Sequence, residues 1–191
     1  MKVHCLIFEG FSDWEIAYIL PELRNNSVEI VTLGLTNDSV KSMGGLTITP
    51  DLSLKDVNED EIETIIIPGG TLWEEGQPEG FLSLIRKLHS NKKTIAAICG
   101  ATFVLARTGI IDTRKHTSNN LDYLKHVVPE YMGEKHYSQN LAVVDENLIT
   151  ASGIGSIEFA QHLLVKLNVF DKERANRWFE LYKNGNWTGP I

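Results

Sequence analysis

The stretch TIAAICGATFVLA (94–106) runs from an apolar, β-rich segment through a single cysteine to a second apolar pattern with helical spacing. The first part predicts a buried strand, and the second predicts a short helix that ends at Gly109. Cys99 stands between them and is followed by Gly100 and Ala101, whose small side chains permit a tight turn. The stretch therefore predicts a strand–turn–helix unit, a nucleophile elbow, with a thiol at its turn.

The alternation of strand and helix extends outward from this unit through the chain. Apolar runs predict strands at 2–8, 28–35, 64–70 and 114–118, and hairpins at 39–51 and 141–152. Helical spacing predicts helices at 12–24, 80–91, 119–128, 156–168 and 171–185. Strands that alternate with helices form a mostly parallel sheet that is covered on both faces. We predict a single doubly wound α/β domain over residues 1–191.

Composition and charge restrict the class of protein. The 191 residues are 42% hydrophobic and 23% charged, as in globular proteins, and the formal net charge is -7. An acidic balance without a basic patch argues against a nucleic-acid partner. There is no membrane-length apolar run and no signal-peptide pattern, so we expect a cytoplasmic protein with no membrane partner. Two cysteines and scattered histidines predict no disulfide framework and no metal site.

The predicted topology brings distant segments together at one edge of the sheet. Open α/β sheets bind ligands beyond the carboxyl ends of their strands. Four segments are expected at that edge: the loop from Glu9 to Glu15, the Gly69-Gly70 pair, Cys99, and Ser152–Ser156. We expect them to meet in one cleft.

Cys99 has two interpretations. The N-terminus of the helix that follows it carries partial positive charge and unpaired N–H groups, which lower the pKa of a thiol and favour the thiolate. A free cysteine is also commonly a small buried hydrophobe. Cys5 lies in the middle of the first strand, between His4 and Leu6, and is expected only to pack.

Glu15 and the glycine pair also have alternatives. Glu15 follows Ser12 at the spacing of a capping box, so its carboxyl could simply cap a helix. If Glu15 meets Cys99 instead, one of the two groups should be neutral and their titrations coupled. The N–H groups of Gly69 and Gly70 could hold an oxyanion beside the sulfur, or the pair could form a tight turn.

Several motifs resemble, in the same order, those of the ThiJ/PfpI (DJ-one) superfamily, a relative of class I glutamine amidotransferases. They are FEGFSDWEIA (8–17), IIIPGG (65–70), AAICGAT (96–102), YSQNLAVVDENLITASG (137–153) and SGIGSIEFA (152–160). The resemblance implies a flavodoxin-like, three-layer α/β/α sandwich and a homodimer. It also implies that Cys99 is the nucleophile, Glu15 its acidic partner, and the N–H groups of Gly70 and Gly100 the oxyanion site.

The sequence departs from the superfamily pattern where a histidine is expected. Gly100 follows the cysteine, where protease-like members carry His, and Glu158 lacks the His of glutamine amidotransferases. Ser118 occupies a third position that is sometimes His in the family. His116 would share a strand face with Ser118 and is either a base or a packing residue. The cleft is further expected to include Asn119, Gly153 and Gly155.

These features predict a cysteine-dependent hydrolase or amidase-like enzyme that needs no cofactor, in which Cys99 attacks a carbonyl of a small-molecule or peptide substrate. The family suggests an intracellular cysteine peptidase, but Gly100 argues against proteolysis. One alternative is glyoxalase or deglycase chemistry, in which the thiolate adds to a reactive aldehyde. Another is a non-catalytic redox or stress sensor, because an accessible low-pKa thiol oxidises readily. A flavin-binding module rests on fold analogy alone.

Overall fold

A seven-stranded sheet organises the computed structural model, which describes residues 1–76 and 78–189. The strands of this part of the chain are β1 (Lys2–Ile7), β2 (Glu29–Gly34), β3 (Val40–Lys41), β4 (Thr47–Ile48), β5 (Leu52–Ser53), β6 (Thr64–Ile67), β7 (Thr94–Ile98), β8 (Ala142–Asp145) and β9 (Leu148–Ala151). The sheet order is β5-β2-β1-β6-β7-β9-β8. All neighbouring strands run parallel except β8, which is antiparallel to β9, and β3 pairs with β4 in a separate hairpin.

Helices cover both faces of this sheet. They are α1 (Ile19–Asn25), α2 (Leu72–Glu75), α3 (Glu79–Ser90), α4 (Thr102–Arg107), α5 (Leu121–Val127), α6 (Ser156–Lys166) and α7 (Lys172–Asn184). On one face α6 packs against α1, α7 and β9, and on the other α4 packs against α2, α3 and β7. This is the mostly parallel, three-layer α/β fold that the sequence predicts.

The apolar runs of the central strands form the core. All residues of β6 are buried, and so are Ile95–Ile98 in β7, because helices cover the sheet on both sides. The two predicted hairpins are confirmed as β3–β4 and β8–β9. Within the described ranges, no helix is both long and apolar enough to span a membrane.

Two predicted elements differ from the structure. The helix expected at 12–24 is a 3₁₀ turn at Asp13–Glu15 followed by α1, which begins only at Ile19. Pro21 therefore lies in the first turn of α1, where a missing N–H breaks no helical hydrogen bond. The strand expected at 114–118 is reduced to an isolated bridge between His116 and Tyr137, because β9 already occupies the edge of β7.

Candidate active site

Cys99 lies on a strained turn directly after β7. It begins a 3₁₀ turn, Cys99–Ala101, that leads into α4, and its φ of +61° is in the left-handed region that non-glycine residues rarely adopt. Such a conformation costs on the order of 1–3 kcal/mol and persists only where the surroundings enforce it. The hydroxyl of Thr102 donates a 2.7 Å hydrogen bond to the Cys99 carbonyl and braces the turn. The predicted elbow is therefore present.

Glu15 reaches the same edge of the sheet from the loop after β1. Its side chain is buried, with 1% of the residue exposed, and its Oε2 accepts a 2.6 Å hydrogen bond from the Gly69 N–H. The Ser12 N–H donates to the Gly69 carbonyl, and the Ser12 side chain caps nothing. The capping-box interpretation is therefore wrong, since the carboxyl binds the glycine turn after β6 instead of its own first turn.

Two glycines allow the thiol and the carboxyl to approach each other. A β-carbon on Gly69 would lie 2.7 Å from the Cys99 Cβ and 2.8 Å from the Glu15 Oε2. A β-carbon on Gly153 would lie 3.0 Å from the Cys99 Sγ and 3.2 Å from the Glu15 Oε1. A larger residue at Gly69 would displace the thiol or the carboxyl, so that position requires glycine, whereas at Gly153 the neighbours would have to yield by only a few tenths of an ångström.

Burial and mutual repulsion control the protonation of this pair. Burial raises the pKa of Glu15 to about 7, against a smaller lowering by the Gly69 N–H. Burial, followed by the charge of Glu15, raises the pKa of Cys99 to about 11, while Asn119 and the Gly100 N–H lower it. This direction is the reverse of the one expected from the helix terminus alone, because desolvation outweighs the N–H groups.

The position of the free carboxyl oxygen indicates where a proton is held. Among the described residues, no hydrogen bond of ordinary geometry reaches Glu15 Oε1, although the side chains of Cys99 and Ser12 lie close enough to lower the pKa of Glu15. A buried carboxylate oxygen without a donor is unfavourable, whereas a protonated oxygen could donate to the sulfur. The two groups lie close enough for their titrations to be coupled, and moving one proton between them would convert thiol and carboxylate into thiolate and carboxylic acid.

Asn119 connects the thiol to the loop after β9. Its Nδ2 donates to the Cys99 Sγ over 3.2 Å, and its Oδ1 accepts a 2.8 Å hydrogen bond from the Gly153 N–H. The second contact orients the amide, so that its NH₂ group faces the sulfur. The sequence placed Asn119 and Gly153 in the cleft, but it gave no signal for this hydrogen bond.

His116 and Ser118 have other partners. The ring nitrogens of His116 lie 2.7 Å from the Arg114 carbonyl and 2.6 Å from the Tyr131 hydroxyl, and the side chain is fully buried. Both nitrogens are thus engaged away from Cys99, which favours the packing interpretation over a base. The Ser118 Oγ lies 2.7 Å from the Thr102 Oγ1, so it contacts the Cys99 turn only through Thr102.

Gly155 lies next to a different part of the chain from Gly153. A β-carbon on Gly155 would lie 2.4 Å from the Leu141 carbonyl oxygen, so this glycine allows the loop to pack on the backbone that precedes β8. Its N–H donates to the Ser152 carbonyl over 2.8 Å. Gly155 therefore determines how the loop packs, and of these two glycines only Gly153 lies next to the thiol.

A small cleft opens above the thiol. Its volume is about 140 Å³, and it is lined by Ser12, Trp14, Met43, Gly70, Thr71, Glu74, Cys99, Gly100 and Asn119. Gly70 and Gly100 thus line the cleft together with Cys99, whereas the N–H of Gly69 is already engaged by Glu15 and is not available to an oxyanion. In the described part of the chain, no group of His, Cys, Asp or Glu side chains could hold a metal ion.

Sequence reasoning missed several residues of this cleft. Trp14 lies between two acidic residues of the first loop, and Met43 lies at the Gly-rich tip of the β3–β4 hairpin, whose backbone is bonded to that loop. Thr71 and Glu74 both follow the glycine pair: Thr71 directly precedes α2, and Glu74 lies within it. Only their proximity in sequence to the first loop and the glycine turn could have indicated them.

Comparisons with known proteins show what this chain resembles in sequence and in fold. The model of the DJ-1/PfpI family matches residues 1–166. Uncharacterized protease YoaZ of Bacillus subtilis is 42% identical over 190 residues, which cover 95% of this chain and 90% of that protein. Deglycase TK1284 of Thermococcus kodakarensis is 26% identical over 170 residues, which cover 87% of this chain and 99% of that protein.

A solved structure shows the same fold. The crystal structure of the thiJ/pfpI family protein from Bacillus anthracis superposes with a TM-score of 0.92 at 41% identity, covering 97% of this chain and 91% of that chain. The names of the two relatives, protease and deglycase, indicate enzymatic activity among similar proteins but differ in the reaction.

Proposed function

The chain belongs to the DJ-1/PfpI family, and from this premise and the Cys99–Glu15 pair we propose that it is a cysteine-dependent enzyme acting on small carbonyl compounds. The observation that carries the proposal is a buried carboxyl beside a thiol on a strained elbow that opens into a cleft. A carboxyl with a pKa near neutrality can both give and take a proton at physiological pH.

The proposed first step moves one proton and forms one bond. The proton of the Cys99 thiol passes to Glu15, and the thiolate attacks the carbonyl carbon of the substrate. The electron pair of the C=O bond moves to oxygen, where the N–H groups of Gly70 and Gly100 would bind the oxyanion. Glu15 then returns its proton to that oxygen, giving a hemithioacetal from an aldehyde or a tetrahedral intermediate from an amide.

The cleft favours an aldehyde over a peptide. Its volume of about 140 Å³ is below the roughly 300–1,000 Å³ that is usual for small-molecule pockets. The described lining contains no histidine that could protonate a leaving amine, whereas addition to an aldehyde expels no leaving group. Glyoxalase chemistry on a free aldehyde is therefore the reaction that we propose. Amide hydrolysis and deglycation, which both release an amine, are the second candidates, supported by the relatives named as a protease and a deglycase.

The test is lactate formation from methylglyoxal by wild type, Cys99→Ala and the matched control Cys5→Ala. We expect lactate from wild type and Cys5→Ala and a loss of about a thousandfold or more in Cys99→Ala, because the attacking atom is gone. Turnover that survives Cys99→Ala would refute the thiolate mechanism. Cleavage of amide substrates without lactate would favour the hydrolase. Selective oxidation of Cys99 by peroxide, with turnover of neither substrate class, would favour the redox sensor.

A further inference from the structure

The cleft has an acidic and aromatic mouth. Glu74 is the one charged residue of its described lining, and no lysine, arginine or histidine lies there. Trp14 and Met43 stand at the same opening with 50% and 46% of their surfaces exposed. Half-exposed apolar residues around a cleft are available to a ligand, since no other part of the protein covers them.

Glu74 is fixed at this opening from two sides. Its backbone N–H donates to the Thr71 carbonyl over 3.0 Å at the start of α2. The Tyr123 hydroxyl, on α5, donates a hydrogen bond to its carboxylate, and this contact raises the pKa of Tyr123. The ion pairs of the described residues do not include Glu74, so its negative charge is not cancelled by a neighbouring cation.

Three properties of the mouth favour the same kind of ligand. A carboxylate attracts a cation directly, and the face of an indole ring attracts one through its quadrupole. The thioether sulfur of Met43 is polarisable and a weak hydrogen-bond acceptor, so it suits a cationic donor better than an anion. An anionic ligand would instead meet Glu74 and the Cys99–Glu15 pair, which itself carries negative charge when it holds one proton.

We propose that the cleft selects carbonyl compounds that carry a positively charged group, such as an ammonium or guanidinium, and that Glu74 and Trp14 are the specificity-determining residues. The substrate assignment rests on the proposed function, but the charge preference of the cleft does not. The cation lies between the Glu74 carboxylate and the Trp14 ring, while the carbonyl reaches Cys99. Aldehydes that carry a carboxylate are disfavoured.

The rate at which Cys99 reacts with charged thiol reagents tests this preference without any turnover. Methanethiosulfonates form a mixed disulfide with the thiolate and release methanesulfinate. We would compare a trimethylammonium-ethyl reagent with a sulfonato-ethyl reagent of similar size, follow Cys99 by peptide mass, and divide each rate by that of N-acetylcysteine. The expected ratio of cationic to anionic rates is well above one.

Matched variants separate the cleft from the overall charge of -7. Glu74→Gln should lower the ratio by about fivefold, whereas Glu75→Gln removes the same charge from the next residue of α2, outside the lining, and should change it much less. Trp14→Leu should lower the cationic rate by about twofold to fivefold, and Trp14→Phe should retain most of it, because a ring face remains.

The outcomes distinguish this proposal from the proposed function. Equal ratios in Glu74→Gln and Glu75→Gln would overturn the charge selection even if methylglyoxal is converted to lactate. A ratio that falls only in Glu74→Gln supports it even if no turnover is found. A Cys99 that reacts with none of the reagents in the native protein would contradict both, since the cleft would then admit no ligand.

Discussion

Cys5 and Cys99 are the two thiols of the chain, one within a strand and the other directly after a strand of the same sheet, yet their surroundings differ. Cys5 lies in the middle of β1, paired with Thr32 of β2 on one side and Ile66 of β6 on the other, and it is fully buried. Cys99 lies one residue beyond the last paired residue of β7 and lines a cleft. Position along a strand, and not residue type, separates a packing thiol from a candidate nucleophile.

The same difference governs their ionisation. Burial alone raises the pKa of Cys5 to about 12, so nothing near it stabilises a thiolate. The pKa of Cys99 is also raised by burial, but Glu15, Asn119 and the Gly100 N–H act on it as well. Its ionisation can therefore be adjusted by neighbours, whereas that of Cys5 changes only if the protein unfolds.

Alkylation rates test most directly whether Cys5 and Cys99 differ in accessibility. In native protein, iodoacetamide should label Cys99 at least about a thousandfold faster than Cys5, because Cys5 reacts only from the unfolded state, whose population is about one in a million at a stability of about 8 kcal/mol. This outweighs the roughly three-hundredfold smaller thiolate fraction that the raised pKa of Cys99 leaves at neutral pH. Peptide mass analysis after timed quenching measures both rates. Comparable rates would mean that Cys99 is as inaccessible as Cys5 or that β1 opens readily.

Glycine substitutions test how closely the Cys99 neighbourhood is packed. Gly69→Ala should reduce turnover by about a hundredfold, because its methyl group would displace the Cys99 Cβ and the Glu15 carboxyl from their present positions. Gly80→Ala is the matched control, since its methyl group would meet only Leu54, at 3.9 Å, within α3. The control should keep activity and gain up to about 1 kcal/mol of stability. Equal activity in both variants would contradict the tight approach at Gly69.

Replacing Glu15 tests whether its charge controls the ionisation of Cys99. Glu15→Gln removes the charge that raises the pKa of Cys99 and leaves an amide able to donate to the thiolate, so the midpoint of Cys99 alkylation should move to lower pH. The midpoint for unfolded protein serves as the reference. A midpoint unchanged by Glu15→Gln would show that the two groups are not coupled.

The same variant should change how stability depends on pH. The pKa of Glu15 is raised from 4.5 to about 7 in the folded state, so its stabilising effect is complete below pH 4.5 and is lost as the pH rises through 7. Glu15→Gln has no carboxyl to ionise and should not lose this stability. The free energy of unfolding of the variant minus that of wild type should therefore increase by about 3 kcal/mol as the pH rises from 4.5 to above 7. Urea unfolding at pH 4.5 and pH 8 measures the difference; parallel curves would contradict the raised pKa.

Removal of Asn119 should have the smallest effect. Asn119→Ala deletes the donor that lowers the pKa of Cys99, so alkylation near neutral pH should slow by about threefold to tenfold. Asn140→Ala, at an exposed position whose side chain makes no hydrogen bond to Cys99, should leave the rate unchanged. A rate that is equal in the two variants would show that the amide does not stabilise the thiolate.

The features that the sequence predicts well depend on local periodicity. The apolar run of β7, the small residues after Cys99 and the start of α4 lie within a dozen residues, and their pattern predicts the elbow directly. The order of strands and helices likewise predicts the parallel sheet and the edge at which Cys99, Glu15 and the glycine pair gather.

The features that the sequence does not predict depend on tertiary packing. Burial decides the direction of the Cys99 pKa, and burial depends on what the whole fold places around the sulfur. The partners of His116 lie in loops whose paths no periodic pattern specifies. The same holds for Trp14 and Met43, which reach the cleft because the β3–β4 hairpin bonds to the first loop. The catalytic roles given to Cys99 and its neighbours remain predictions.

The hydrogen bonds around the thiol also have a consequence during protein synthesis. They link Ser12 to Gly69, Gly69 to Glu15, Asn119 to Cys99, and Gly153 to Asn119, so they join segments spread over most of the chain. At about 5–20 residues per second, a ribosome needs several seconds to extend the chain from Cys99 to Gly153. A nascent chain therefore displays an ordinary, unorganised thiol throughout that interval, and the organised site appears only when the fold closes.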